Sequence, residues 1–370
     1  MSDQRDPRPT PELGAAPAPV RRRGRSSTLL LVLVVVLAVV ALAIWLGRRG
    51  EPGSPGETGS AGASAQASPS GQANASATAT PLHSRFPVTP LLTPPPAGSS
   101  TIPGFKHVWL IVMENKTFDQ VVGVPAAPTF NQLIAQSGLA TRYQGVAHPS
   151  QPNYLALFSG SLQGVHDDKP HDLTAPTIAD QLEAAGKTWR VYAENVPTGC
   201  GTAATATGGP DGSGKYARKH EPAISFTSIS KNPARCANIL PFKGFDPAAA
   251  DFEFIVPNLC HDMHDCSVAM GDAWLHDFLP NITGSAAYRD GGVLLITFDE
   301  GADGTNPPNR VATVISSPLV APGTQSKVPH THYSVLRTIE DGFGLPCLGE
   351  SCNANTLSEF FAGAGPSPSG

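Results

Sequence analysis

The run His107-Val108-Trp109-Leu110-Ile111-Val112-Met113, leading straight into Glu114-Asn115-Lys116-Thr117-Phe118-Asp119, is the stretch on which the fold turns. A short, nearly continuous apolar run of this kind is that of a strand buried on both faces. Gly291 to Phe298 (GGVLLITF) and Val311 to Ser316 (VATVIS) repeat the character. Between them lie segments with helical spacing. From Ala175 to Ala185, Ile178, Leu182 and Ala185 share a face with Thr177 near the start, and from Asp272 to Leu279, Trp274, Leu275 and Phe278 share another. Strands alternating with helices predict an α/β fold with a central, mostly parallel sheet flanked by helices. Ligands of such sheets bind beyond the carboxyl ends of the strands. HVWLIVM and GGVLLITF both end in acidic groups.

Outward from this region the 370-residue chain is uneven. Leu29 to Leu46 is an unbroken run of 18 apolar residues, preceded by Arg21, Arg22, Arg23 and Arg25 and followed by Arg48 and Arg49. That length spans a bilayer, and the excess of arginine on its N-terminal side leaves the short tail in the cytoplasm and exports the rest. The expected organisation is a basic cytoplasmic tail over 1–27, a single-pass signal anchor over 28–47, a disordered Ala/Ser/Gly/Pro spacer over 48–100, a catalytic domain over 101–361 and a disordered tail over 362–370. The spacer's composition cannot bury enough surface to offset its ordering entropy. Ala41 and Ala43 also make the A-x-A pattern of a cleaved signal peptide, so secretion is the alternative to a membrane-bound, extracytoplasmic domain.

The formal net charge is −5 and the expected folded part holds no Lys/Arg cluster, which leaves no electrostatic case for a nucleic-acid partner. A small anionic substrate would need a metal ion instead. All six cysteines follow the apolar run. Export and the even count point to disulfides: Cys260 with Cys266 and Cys347 with Cys352 across short loops, leaving Cys200 with Cys236. Cys260-His261 and His264-Asp265-Cys266 are also dense in zinc-ligand types.

The chemistry concentrates in three places. Glu114 and Asn115 follow the first strand, and Asp299 and Glu300 follow GGVLLITF; hard oxygen donors at strand ends suit a divalent cation that binds phosphate oxygens. Asp119 reads as a helix cap or solvated turn. The third place is His148-Pro149-Ser150-Gln151-Pro152-Asn153-Tyr154. A serine is a poor nucleophile until its pKa is lowered, and a metal on Oγ does this without a neighbouring histidine base. Of the eleven histidines, His166, His171, His261 and His276 read as structural, and His148 as lining the pocket.

ENKTFD at 114–119, HPSQPNY at 148–154, TFDEG at 297–301 and HTHYSVLRTIED at 330–341 resemble, in order, the motifs of the bacterial acid phosphatase and phospholipase C phosphoesterase family. YAENVP (192–197), YARKHEP (216–222) and VPNLCHDMHDCS (256–267) resemble its phosphatase branch, so the likeness spans about residues 105–350. It implies an alkaline-phosphatase-like fold and a phosphoserine intermediate. Residue by residue, it implies a metal held by Glu114, Asn115, Ser150, Asp299 and Glu300, with Ser150 the nucleophile. Asn153 would donate to a phosphoryl oxygen, and His332 would bind metal or assist the leaving group. A second metal set would be Asp262, His264 and His332, although Glu300 stands where much of the superfamily has histidine. The expected activity is a metal-dependent phosphomonoesterase acting on a small phosphorylated substrate or a phospholipid head group. The alternatives are a phospholipase C-type phosphodiesterase and, in another class, an inactive surface binding module.

Overall fold

The computed structural model describes residues 102–198, 200–202, 205–207, 215–302 and 309–362. The basic tail, the apolar run Leu29–Leu46 and the spacer lie outside these residues, as do 363–370. Among the described residues no helix is long and apolar enough to cross a membrane.

Three strands make the centre of the sheet. β1 (Val108–Met113) is flanked by β7 (Phe252–Val256) and β8 (Val293–Phe298), both parallel to it, and every residue of all three is buried. Their near-continuous apolar sequence follows from helices and sheet neighbours covering both faces. Outside them, β3 (Trp189–Ala193) and β6 (Ile239–Leu240) extend one edge, and β9 (Arg310–Ser316), β2 (Gly138–Gln144) and β10 (Thr324–Ser326) the other. β11 (His330–Thr331) also pairs with β2, completing nine strands, and β4 (Thr205–Thr207) with β5 (Lys215–Ala217) forms a separate ladder.

The sheet is mostly parallel, as expected, with one reversed strand that makes it mixed. β9, the VATVIS run, is antiparallel to both β8 and β2. The reason is covalent: β8 and β9 are joined only by residues 299–309, and a parallel return needs a crossover of about a dozen residues or more, usually a helix. Two reversals at β9 leave β2 parallel to β8, so the loops after β1, β2, β7 and β8 all emerge at one edge.

Among the described residues, five α-helices of a turn and a half or more accompany the sheet: α1 (Pro128–Ala135), α2 (Ser150–Ser159), α3 (Ile178–Ala184), α4 (Val268–Thr283) and α5 (His332–Phe343). α3 starts where its pattern predicts, with Thr177 as N-cap and the Asp180 carboxylate accepting from the Thr177 backbone N–H at 2.7 Å. α4 is longer than the Asp272–Leu279 pattern, because Ser267 caps it a turn earlier. All ten residues of α2 are buried, and it packs against α5. Gly160 ends α2 at φ +69°, and a Cβ there would collide with the Leu348 carbonyl.

Two buried carboxyls in this core make stability depend on pH. Glu253 of β7 is fully buried with neither carboxylate oxygen hydrogen-bonded, and burial raises its pKa to about 8. Glu340 of α5 is raised to about 7 by the same cause. A carboxyl with a raised pKa stabilises the fold in full below its unfolded value, near 4.5, and that contribution is lost as pH climbs through 7 to 8. At about 1.4 kcal/mol per pKa unit, Glu253 is worth on the order of a few kcal/mol. We expect Tm to be several degrees higher at pH 5 than at pH 8.5, and Glu253→Gln to flatten that dependence. An unaltered pH profile in the variant would assign it to other groups.

Candidate active site

The site begins with register. Met113 is paired with Phe298, so Glu114 and Asp299 leave β1 and β8 side by side, and the Asp299 N–H continues the ladder to the Met113 carbonyl at 2.9 Å. Asn115 then turns the chain at φ +52°, a left-handed conformation that asparagine tolerates better than most residues. The turn aims its N–H at Asp299 Oδ1 (3.0 Å) and its side-chain amide at Glu114 Oε2 (3.1 Å).

β2 delivers the third component. After Gly145–Pro149, Ser150 is the first residue of α2, at the helix end whose dipole and free N–H groups favour anions. Its Oγ donates to Glu114 Oε2 at 3.1 Å and stands 3.4 Å from Glu300 Oε1, and the Asp299 carboxyl touches both Ser150 and Glu114. One turn along, Tyr154 donates to Glu114 Oε1 at 2.7 Å. The five groups expected around a metal, Glu114, Asn115, Ser150, Asp299 and Glu300, therefore face one another.

Two expected roles fit the geometry differently. Asn153 does not present its amide to this cluster. Its Oδ1 accepts from the N–H groups of Val146 and Ala147, at 2.9 and 3.0 Å, and its Nδ2 donates to the Ala147 and Pro149 carbonyls. It clasps the loop that carries Ser150, with its amide turned to that loop where a phosphoryl donor was expected. His332, fully buried, donates from Nε2 to the Asp299 carbonyl at 2.6 Å and accepts at Nδ1 from the Tyr143 hydroxyl at 2.9 Å. Burial lowers its pKa to about 4, so the ring is neutral. With both nitrogens engaged it orients Asp299 and does not join Asp262 and His264.

Those two instead meet His220, which sequence reasoning passed over although YARKHEP was in view. His220 Nδ1 is 3.1 Å from Asp262 Oδ2, and its Nε2 is 3.1 Å from Glu114 Oε1 without the alignment of a hydrogen bond. His264 likewise places Nδ1 2.7 Å from Asp265 Oδ1. A histidine whose Nδ1–H is held by a carboxylate keeps Nε2 as a donor atom, the usual support of a metal ligand. One donor atom each from Glu114, His220 and His264 lies within 4.8 Å of the others. Tyr154 stacks on His220 at 5.2 Å and steadies the ring. Glu114 thus stands between two donor sets: Ser150, Asn115, Asp299 and Glu300 on one side, His220 and His264 on the other.

The electrostatics of the cluster is dominated by buried carboxylates. Burial pushes the carboxyl pKa of Glu114 and Asp262 well above the usual range, and repulsion from Asp299 adds to it. Asp299 is raised by burial, against hydrogen bonds that favour the anion. Its Oδ2 has no hydrogen-bond partner among the described residues. Buried like charges are costly unless a counter-charge or metal compensates them. The oxygen-rich side suits a hard divalent ion and the imidazole side a borderline one. These residues therefore fit the metal that the resemblance implies.

The remaining expectations concern the surroundings. His148 is exposed beside the cluster, with Nδ1 2.5 Å from Glu300 Oε2. His171, His261 and His276 pair with Asp167, Glu194 and Asp277. Asp119 is exposed near Arg310. The three disulfides are those expected, with Cα separations of 5.3 Å for Cys200–Cys236, 4.7 Å for Cys260–Cys266 and 5.0 Å for Cys347–Cys352. Cys260–Cys266 closes the loop bearing Asp262 and His264, which excludes both thiols as zinc ligands. Replacing both cysteines by serine is expected to lower kcat/KM about tenfold through misplacement of those two side chains. The loss of stability should be modest, about 2 kcal/mol, because so short a loop constrains little unfolded-chain entropy. Unchanged kcat/KM would show that the clamp does not position the site.

The comparisons with known proteins bear on the family and the fold. A model of the Phosphoesterase family matches residues 124–346. A phosphatidylinositol-3-phosphatase of Mycobacterium tuberculosis is 33% identical over 270 residues, covering 71% of this chain and 85% of the relative. An acid phosphatase of Aspergillus fumigatus is 31% identical over 265 residues, 68% of this chain, which spans 58% of that longer enzyme. Among solved structures, a phosphonate monoester hydrolase of Silicibacter pomeroyi shares the fold, with a TM-score of 0.50 at 12% identity over 72% of this chain and 78% of that one. With its motifs in order and its strand-end carboxylates gathered at Ser150, this chain belongs to the phosphoesterase family and is a phosphoric ester hydrolase.

Proposed function

We propose that the protein is a metal-dependent phosphomonoesterase that works through a phosphoserine at Ser150. One observation carries this reading: a buried serine hydroxyl at a helix N-terminus, 3.1 Å from Glu114 Oε2 and 3.4 Å from Glu300 Oε1, among carboxylates gathered in a buried space. Glu114, Asn115, Asp299 and Glu300 would hold a divalent cation together with Ser150 Oγ, and His220 and His264 form the second set of donors beside Glu114. When bound, the metal supplies a lowered serine pKa and charge stabilisation at phosphorus. The residues do the rest. Glu114 orients the hydroxyl and marks where its proton goes, the N-terminus of α2 faces the phosphoryl oxygens, and Asn153 and His332 hold the loop and Asp299 in place. The Oγ–P bond forms as the alcohol departs, and water then cleaves the phosphoserine. Phosphatase relatives support a monoester over the diester of a phospholipase C.

The reading includes the cell membrane. Leu29–Leu46 would anchor residues 101–361 outside the cytoplasm, with 48–100 as tether and 362–370 as a tail, within reach of either soluble esters or lipid head groups. The exported domain assayed on p-nitrophenyl phosphate and on bis-p-nitrophenyl phosphate, each with and without chelator, tests the chemistry. We expect turnover of the monoester at least about a hundredfold above the diester, and its loss in chelator with recovery on a divalent metal. Chelator-resistant turnover, or a preference for the diester, would refute the assignment.

A further inference from the structure

A cavity of about 150 Å³ has walls that include Gln151, Asp168, Lys169, Arg218, Lys219 and His264. It abuts the reacting centre from two directions: Gln151 follows the nucleophile, and His264 belongs to the donor set of Glu114 and His220. A phosphoryl group bound at Ser150 therefore has this space next to it for the rest of its ester. At about 30 Å³ per water-sized group, the space takes one further small anionic group with its connecting carbons.

The charges in the wall are unbalanced. Lys169, Arg218 and Lys219 line it against a single carboxylate, Asp168, although the whole chain carries −5. Asp168 is already committed: Oδ1 accepts the Gln151 N–H at 3.0 Å and Oδ2 pairs with Lys219 Nζ at 2.9 Å. Lys219 in turn lies 3.3 Å from His264 Nε2. That chain ties Lys219 to the helix of the nucleophile. Of the other two cations, Lys169 is loosely held, and Arg218 donates from Nη2 to the His171 carbonyl at 3.1 Å. Lys169 is 80% exposed, and its ion pair with Asp167 at 3.3 Å is of the solvent-exposed kind worth little. Arg218 lies only 3.7 Å from the exposed Asp172, and its Nε is buried without a hydrogen-bond partner. A buried guanidinium N–H without an acceptor is costly, and a phosphate or carboxylate oxygen is the acceptor that a guanidinium fits best.

Resting on the phosphomonoesterase reading above, we propose that this cavity receives the alcohol half of the substrate and that Lys169 and Arg218 select phosphomonoesters whose alcohol carries a second phosphoryl group. Lys219, held by Asp168, stands between the two subsites. The second phosphoryl group can be the free phosphate of a soluble bisphosphate or the diester of a phospholipid. Both present the same oxygens to the wall.

The test uses matched ligands on the exported domain: propyl phosphate, propanediol bisphosphate and a short-chain phosphatidylinositol phosphate. Turnover is measured on the wild type and on Lys169→Gln, Arg218→Gln and Arg218→Lys. Binding is measured by calorimetry on the same set in a Ser150→Ala background, which reads selectivity without turnover. Bound and turned-over bisphosphate should be preferred to propyl phosphate by roughly tenfold or more, and Arg218→Gln should remove most of that preference while propyl phosphate changes less than about twofold. Arg218→Lys should restore part of it, and Lys169→Gln should give a smaller loss. A preference shared by the lipid places the second group in a diester; one confined to propanediol bisphosphate places it in a free phosphate. An equal fall for propyl phosphate and bisphosphate would overturn the proposal, since the cations would then serve the reacting phosphoryl group. So would equal binding of the two by the unmutated wall. Failure of turnover with retained binding preference would sink the hydrolytic reading and leave the cavity's selectivity standing.

Discussion

Ser150→Ala is expected to cut kcat on a phosphomonoester by about a thousandfold or more while leaving the protein folded and able to bind metal. The nucleophile and its activating groups act as a unit, so losing one member costs nearly as much as losing several. The fold should tolerate the change. Ser150 opens a helix in which alanine is favourable, and the side chain lost is small, although it is buried and donates to Glu114. Four of the five expected donors remain, so metal affinity measured by calorimetry should fall by no more than about tenfold. Rapid-quench experiments with labelled substrate should detect a phosphoenzyme in the wild type and none in the variant. Near-normal turnover by the Ser150→Ala protein would remove serine from the mechanism.

Asp299→Asn is expected to abolish metal binding and turnover together, with metal affinity reduced at least about a hundredfold. The substitution is chosen because an amide oxygen can still accept from the Asn115 N–H, now at 3.0 Å from Oδ1, so the left-handed turn at Asn115 keeps its anchor. What disappears is a charge. Glu114, Asp262 and Asp299 repel one another in a buried space, so the metal-free protein should gain stability when one of them is neutralised. In chelator, the Asp299→Asn protein should melt a few degrees above the wild type. Lost activity with raised metal-free Tm is the signature of a site that holds repulsion for function. A variant that melts well below the wild type in chelator would make Asp299 a structural residue instead. Measuring Asp299→Asn, Ser150→Ala and the double variant in one series checks that the activity losses do not add.

The apolar runs and their acidic ends could be read directly. HVWLIVM and GGVLLITF became β1 and β8 because six buried residues in a row admit few other placements, and the chemistry at their ends came with them. Ser150 was legible through its ordered neighbours, and the cysteines through count and spacing. His220 was not legible as a site residue. It sits in a short turn far along the chain from Glu114, and a lone histidine there carries no periodicity that points to a partner. The same holds for the cavity wall: Lys169 and the pair Arg218-Lys219 make no charge cluster in the sequence and meet only in space.

From sequence alone came the elements, the edge of the sheet where the acidic strand ends gather, the candidate serine and the family, because hydrophobic burial and strand length are local and strand ends dictate where polar residues emerge. Tertiary structure alone decided what each polar side chain there points at. It turned Asn153 inward to clasp the Ser150 loop, set His332 beneath the Asp299 carbonyl, brought His220 between Glu114 and Asp262, and reversed β9. The physical reason is that a buried donor or acceptor takes whichever partner the packed backbone brings within about 3 Å, and neither residue type nor spacing specifies that partner.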